Sequence, residues 1–260
     1  METKAAKKTL NSTIKGARAI IGAVSGAFTQ EWKSSPGTGA RAALGKWVLT
    51  SVRHLAAITI LAEEHDLSTV ADVHYRQMFE IQLQARHFLE SPPSEHDHLA
   101  EKISAWGCMD FLEKLEPVKD LEVVRKGYEE MTTQLSLYDP TLVASITIER
   151  KKNLHWFCQS YTQLARDVSK PGENLASVYR ITSGGLHGVW DLTLGVANPR
   201  PGFLDLRGYP DEQTMFRWAA DLVDRASLLL IDIWNEAAVV VGAPSVDLTT
   251  ILADARKKAS

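Results

Sequence analysis

Residues 40–64 read ARAALGKWVLTSVRHLAAITILAEE, and their apolar members Leu44, Trp47, Val48, Val52, Leu55, Ile58 and Leu61 recur three or four positions apart. That spacing is the period of an amphipathic helix, not the two-residue alternation of a strand. The turn-rich stretch Ser34-Ser35-Pro36-Gly37-Thr38-Gly39 comes just before it and separates it from a first helix. Downstream the period returns: Asp66-Leu67-Ser68 offers a cap, Val73, Phe79, Leu83 and Phe88 continue an apolar face, and Ser91-Pro92-Pro93 ends it. Glu95 to Asp97 then place acidic residues in the first turn of a helix running to about Leu115, where the helix dipole favours them. Helical patterns follow from Asp120 to Tyr138, from Leu142 to about Val168, from Leu175 to Leu194 and from Asp211 to about Val240. Asp139-Pro140 and Lys170-Pro171-Gly172 stop two of them, and Leu228-Leu229-Leu230-Ile231 reads as core in the last. Asn198 to Pro210 is the longest irregular stretch. With no strand pattern and no internal repeat, the sequence predicts an all-α fold, a single multi-helix bundle. Its expected organisation is a mobile amphipathic helix over 1–33, a bundle over 40–245 and a tail over 246–260.

The composition fits a folded helical domain and narrows the function. Of the 260 residues 45% are hydrophobic and 23% charged, and seven Trp, seven Phe and six Tyr provide large buried surfaces. A net charge of −3 gives no global basic field, so contact with nucleic acid has to come from a local cluster. Cys108 and Cys158 are the only cysteines, each in an apolar helical stretch, which suits reduced core thiols and excludes a disulfide scaffold. The apolar run from Ala19 to Phe28 follows Lys4, Lys7, Lys8, Lys15 and Arg18, as in a targeting peptide. It is interrupted by Gly and Ser and falls short of the roughly 20 residues a membrane span requires, so a cytoplasmic chain without a membrane partner is expected.

The segment with most chemical content is Ser177-Val178-Tyr179-Arg180-Ile181-Thr182-Ser183-Gly184-Gly185-Leu186-His187-Gly188. Arg180 and His187 are seven apart, two turns along a helix, so both lie on one face with Ser183 between them. A guanidinium fork holds phosphate bidentately, and an imidazole moves protons near neutrality. The pair therefore suits metal-independent RNA cleavage, in which a 2′-hydroxyl attacks phosphorus and the histidine acts as acid or base. Arg180 also suits a plain carboxylate pairing. Upstream, Arg76 and Glu80 stand at i and i+4, an ion pair that is either structural or placed to orient Arg180 or His187.

Tyr75-Arg76 with Phe79-Glu80, then Trp156 and Ala165, then Tyr179-Arg180-x-x-Ser183-x-x-x-His187 resemble a widespread bacterial family of helical domains of uncharacterised function. The resemblance spans about Val70 to Gly195. The six residues between arginine and histidine are also similar to the catalytic motif of HEPN ribonucleases, compact helical bundles that often dimerise and serve as toxins or antiviral effectors. That resemblance implies Arg180 and His187 as the catalytic pair. Tyr179, Ser183, Arg76, Glu80 and Trp156 would be supporting or substrate-binding residues, RNA the partner, and a homodimer or an inhibitor protein a further expectation, with no cofactor. Ile181 departs from the polar residue usual after the arginine, and Gly184-Gly185 departs from a regular helix.

Two other classes fit parts of the pattern. A metal-dependent helical-bundle enzyme would draw on Glu80, His87, His187 and Asp191, although the tight Glu-x-x-His repeats of such sites are missing. A non-catalytic domain binding a ligand or partner would instead bond Arg76, Glu80, Arg180 and His187 to one another, closed to solvent. Glu95-His96-Asp97-His98 reads as a solvated acidic cap. Arg150-Lys151-Lys152 with His155-Trp156 and Arg166 reads as a solvated face, or as a basic strip with an aromatic that contacts a nucleic-acid backbone.

Overall fold

The computed structural model describes residues 2–34, 39–63, 68–152, 154–186, 212–243 and 246–258. Among them the chain is all-α: α1 (Glu2–Ser34), α2 (Gly39–Glu63), α3 (Ser68–Glu90), α4 (His96–Leu115), α5 (Glu122–Leu135), α6 (Pro140–Lys151), α7 (Tyr161–Asp167), α8 (Leu175–Leu186), α9 (Glu212–Val241) and α10 (Leu248–Lys257). No strand occurs among the described residues, and none of their helices is long and apolar enough to cross a membrane.

The bundle forms around α9, which packs against α1, α2 and α3. Every three or four residues α9 buries a large side chain, including Phe216, Val223, Leu230 and Trp234, and these meet Leu44, Leu55 and Ile58 of α2 and Met78, Leu83 and Phe88 of α3 in one continuous core. Three helix partners account for the broad apolar surface of α9, and the period still leaves Leu228 49% exposed. Four consecutive residues cannot all face inward on a helix, so the Leu228 to Ile231 run contributes three core residues instead of four. A second, smaller core forms where Leu142 and Ile146 of α6 meet Ala105 of α4, with Trp106, Met109 and Tyr138 against it.

Both ends of the chain belong to this core. Leu10, Ile14, Ala17, Ile20, Val24 and Phe28 of α1 are buried, and α1 packs on α9, α10 and α2. The expected mobile first helix is therefore a full member of the bundle, because its apolar stripe has partners along its length. The expected tail is likewise helical over α10, capped by Asp247, whose carboxylate accepts from the Thr250 amide at 3.0 Å, and anchored by buried Leu248 and Leu252.

The helix expected from Leu142 to Val168 is two helices. α6 starts at Asp139, which accepts from the Thr141 amide at 2.7 Å, with Pro140 in the first turn. It ends at Lys151, and the chain re-enters helix only at Ser160, whose hydroxyl accepts from the Gln163 amide at 3.2 Å. Between them Trp156 and Phe157 are both buried, and Cys158 takes a left-handed backbone with φ of 58°. A non-helical turn is what lets two adjacent aromatic residues enter the core together, and it leaves Cys158 exposed where a core thiol was expected; Cys108 is buried as anticipated. The 95–98 cluster is also more than a solvated cap. His96 stacks on Phe88 at 4.8 Å and bonds the Ser91 carbonyl at 2.9 Å, while Asp97 accepts from the Ala40 amide at 3.2 Å and so closes the start of α2 from α4.

Candidate functional site

α3 carries two polar stripes between its apolar rows, and the 3.6-residue period sends them to different neighbours. Arg76, Glu80 and Gln84, spaced four apart, face α7 and α8; Gln82 and Arg86 face α9 and the turn before α8.

On the first stripe Arg76 Nε donates to Glu80 Oε1 at 2.9 Å and Arg76 Nη2 donates to Tyr179 Oη at 3.0 Å, while the Tyr179 hydroxyl donates to Glu80 at 3.3 Å. The guanidinium also lies over the Tyr179 ring, 5.4 Å from its centroid. Burial works against the Arg76 charge, but Tyr179 and Glu80 more than offset it and hold its pKa above the ordinary arginine value. Gln84 extends the network: its amide nitrogen donates to Tyr161 Oη at 2.9 Å and its oxygen accepts from Trp156 Nε1 at 2.8 Å. Tyr161 stacks on Tyr179 at 5.6 Å, and burial, followed by Glu80 and Tyr179, raises its pKa well above the ordinary tyrosine range. His155 completes an aromatic run, 4.7 Å from Tyr161 and 5.0 Å from Phe157.

The sequence pointed to the Arg76–Glu80 pair and to Tyr179, which the fold joins across 103 residues, and it missed Gln84 and Tyr161; His155 was singled out as part of the basic strip and not as a neighbour of Tyr161. The available signal was Gln84 itself, one helical turn beyond Glu80 on the same face. Trp156 joins the network through Gln84 and is also an anchor, stacked on Trp47 at 6.1 Å and against His87 at 5.6 Å. Adjacent positions on α8 diverge: Tyr179 is buried against α3, while Arg180 is exposed and makes no hydrogen bond or ion pair with another described residue. Ser183 and the Gly184-Gly185 pair lie within α8, so the glycines do not break the helix; the Ser183 side chain, His187 and Asp191 are outside the described residues. Comparison with family models, curated proteins and solved structures gives no match.

For the metal reading, Glu80 is taken up by Arg76 and Tyr179, and His87 packs on Trp156 and Phe157. Among the described residues no three His, Cys, Asp or Glu side chains gather as metal ligands. The second stripe forms a separate ionic knot. Arg86 bonds Glu173 at 2.6 Å and Glu236 at 3.1 Å, Lys170 reaches Glu236 at 3.3 Å, and Gln82 donates to Asp232 at 3.3 Å. It ties α3 to α9 and to the turn that starts α8, so it fixes where Tyr179 enters.

Three histidines give the fold an acid sensitivity. Burial lowers the pKa of His54, His87 and His155 below 6.5, and His54 is lowered further by His74, whose Nδ1 is 3.0 Å from its own. A histidine depressed in the folded state takes up more protons once unfolded. Its stabilising contribution is complete above the unfolded value and is lost as pH falls through 6.5 towards the lower folded value. The melting temperature is expected to drop between about pH 7.5 and 5.5, above the range where most carboxylates titrate. Thermal melts across that interval check this; a flat or rising profile would contradict it.

Proposed function

We propose that this chain is a metal-independent endoribonuclease of HEPN-like type, acting as a toxin or phage-defence effector. The observation that carries this reading is the split between Tyr179 and Arg180: the first is locked inward by Arg76 and Glu80, which sets the rotation of α8, and the second is left exposed without a carboxylate partner among the described residues. A guanidinium exposed on a helix and bonded to no described residue is suited to a phosphodiester.

In the proposed reaction the RNA 2′-hydroxyl attacks the adjacent phosphorus and the bond from phosphorus to the 5′-oxygen breaks. The products are a 2′,3′-cyclic phosphate and a free 5′-hydroxyl, with no water consumed. Arg180 offsets the charge gathering on the phosphoryl oxygens, and His187 moves the proton from the attacking oxygen or to the leaving one. Arg76, Glu80 and Tyr179 act as positioning residues, since their polar atoms are already committed to one another. Incubating the protein in chelator with structured and single-stranded RNAs, and identifying the fragment ends, tests the proposal. Cyclic phosphate ends are expected; intact RNA throughout would reject it.

That same closed triad favours a second reading, a non-catalytic domain that binds a ligand or a partner protein. Arg76 and Glu80 have the mutual bonding such a domain needs, with Tyr179 as the third member. Exposed Arg180 does not share in it.

A further inference from the structure

We infer that the groove between α4 and α6 binds an unpaired base of single-stranded RNA, an inference that rests on the ribonuclease reading for the identity of its ligand. The cavity is about 520 Å³, within the range of small-ligand sites and large enough for a nucleoside. Trp106, Met109 and Leu154 supply apolar surface, and His155 lies at its edge.

Charge in the groove separates into a satisfied part and a free part. The Arg150 guanidinium lies 5.3 Å from the Trp106 centroid and is bonded by Glu113, with Asp110 at 3.6 Å. Asp110 is also held by Lys114 at 2.6 Å, so two cations and two carboxylates neutralise one another and give the wall fixed polar edges for a base. Lys151 on the rim and Lys152 beside it are exposed and have no ion-pair partner among the described residues, so the uncompensated charge is positive, as a phosphate backbone requires.

The groove also joins the candidate site. His155 belongs to both: it lines the cavity and stands 4.7 Å from Tyr161, which stacks at 5.6 Å on Tyr179, the neighbour of Arg180. An aromatic side chain and a free cation are the parts of a single-strand binding track, where bases stack and lysines follow the backbone. The basic strip seen in the sequence at 150–155 thus divides, with Arg150 building the wall and Lys151 and His155 facing the ligand.

The test is fluorescence anisotropy with a labelled 2′-O-methyl oligouridylate octamer, which cannot be cleaved by 2′-hydroxyl attack, in chelator and low salt. His155→Ala is expected to weaken binding by roughly 5- to 100-fold, the usual range for losing one stacked base. Lys151→Glu is expected to weaken it by about threefold or more. Lys126→Glu, on the exposed surface of α5, serves as a charge control and leaves binding unchanged. Lys151 is exposed and its variant keeps the fold, whereas His155 packs on Phe157 and Tyr161, so binding by His155→Ala is read beside its melting temperature and Lys151→Glu keeps the test independent of that packing. Absence of binding by the unaltered protein, equal affinity in all variants, or an equal loss in the Lys126 control would overturn the inference. Cleavage assays separate the two proposals. Binding that depends on His155 and Lys151 in a protein that cuts no RNA would uphold the groove and reject the nuclease. Arg180-dependent cleavage with KM unchanged in both groove variants would do the reverse.

Discussion

His187→Ala is expected to bring RNA cleavage to the limit of detection, and Arg180→Ala to slow it by roughly 10²- to 10³-fold, the usual cost of removing one charge-stabilising donor from a transition state. General acid–base catalysis contributes about 10²–10⁴-fold in its own right, so the histidine variant has the larger deficit. For Arg180 the structure separates a chemical effect from a structural one. The side chain is exposed and bonds no described residue, so its truncation is expected to change stability by no more than about 0.5 kcal/mol. Single-turnover cleavage together with thermal melts reads both quantities. An Arg180→Ala protein that retains its melting temperature and cuts RNA at an undiminished rate would remove arginine from the mechanism, and intact cleavage by His187→Ala would end the ribonuclease assignment. Arg76→Ala is a useful contrast, because it leaves Glu80 and Tyr179 without their shared donor; a loss of stability there, unlike at Arg180, follows from geometry alone.

The helical class was legible because the main signal is local. Three-to-four spacing over residues 44–58 returns as the buried row of α2, the clusters at 91–93 and 170–172 separate helices of the bundle as predicted, and Asp139-Pro140 marks a boundary as the cap and first residue of α6. The break between α6 and α7 was not legible, since residues 154–160 contain neither Pro nor Gly and the left-handed position is a cysteine. What decides that turn is tertiary: Trp156 reaches Trp47 and Gln84, and Phe157 reaches His87 and Tyr161. The candidate site divides the same way. Arg76 with Glu80 follows from one turn of helix, whereas the bonds from Tyr179 to that pair and from Trp156 to Gln84 depend on how α8 and the turn before α7 meet α3. The docking of α1 was missed for a related reason. An amphipathic stripe announces that a partner exists without saying whether it lies in the same chain.

Arg86→Met is the substitution expected to damage the fold most. Its side chain is only 6% exposed and is clamped between Glu173 at 2.6 Å and Glu236 at 3.1 Å. Burial opposes its charge, yet those carboxylates, with Asp232, hold its pKa above the ordinary arginine value, and Arg86 in turn keeps Glu173 below the usual carboxylate range. Methionine restores much of the volume but leaves Glu173 and Glu236 facing each other, with Lys170 bonded to the second. Removing one member of such a buried group costs about 3–5 kcal/mol, and Glu173, one-third exposed, places the expectation near the lower end. Denaturant unfolding measures it; a loss below about 1 kcal/mol would mean that solvent reaches the knot and screens it. The sign with pH adds an independent check. Orphaned carboxylates are held above their unfolded pKa, so the folded variant takes up the extra protons and its deficit relative to the unaltered protein shrinks as pH falls towards about 5. Combining Arg86→Met with Glu173→Gln and Glu236→Gln should then recover part of the loss at neutral pH, because the repulsion is removed even though the bridge from α3 to α9 is not restored.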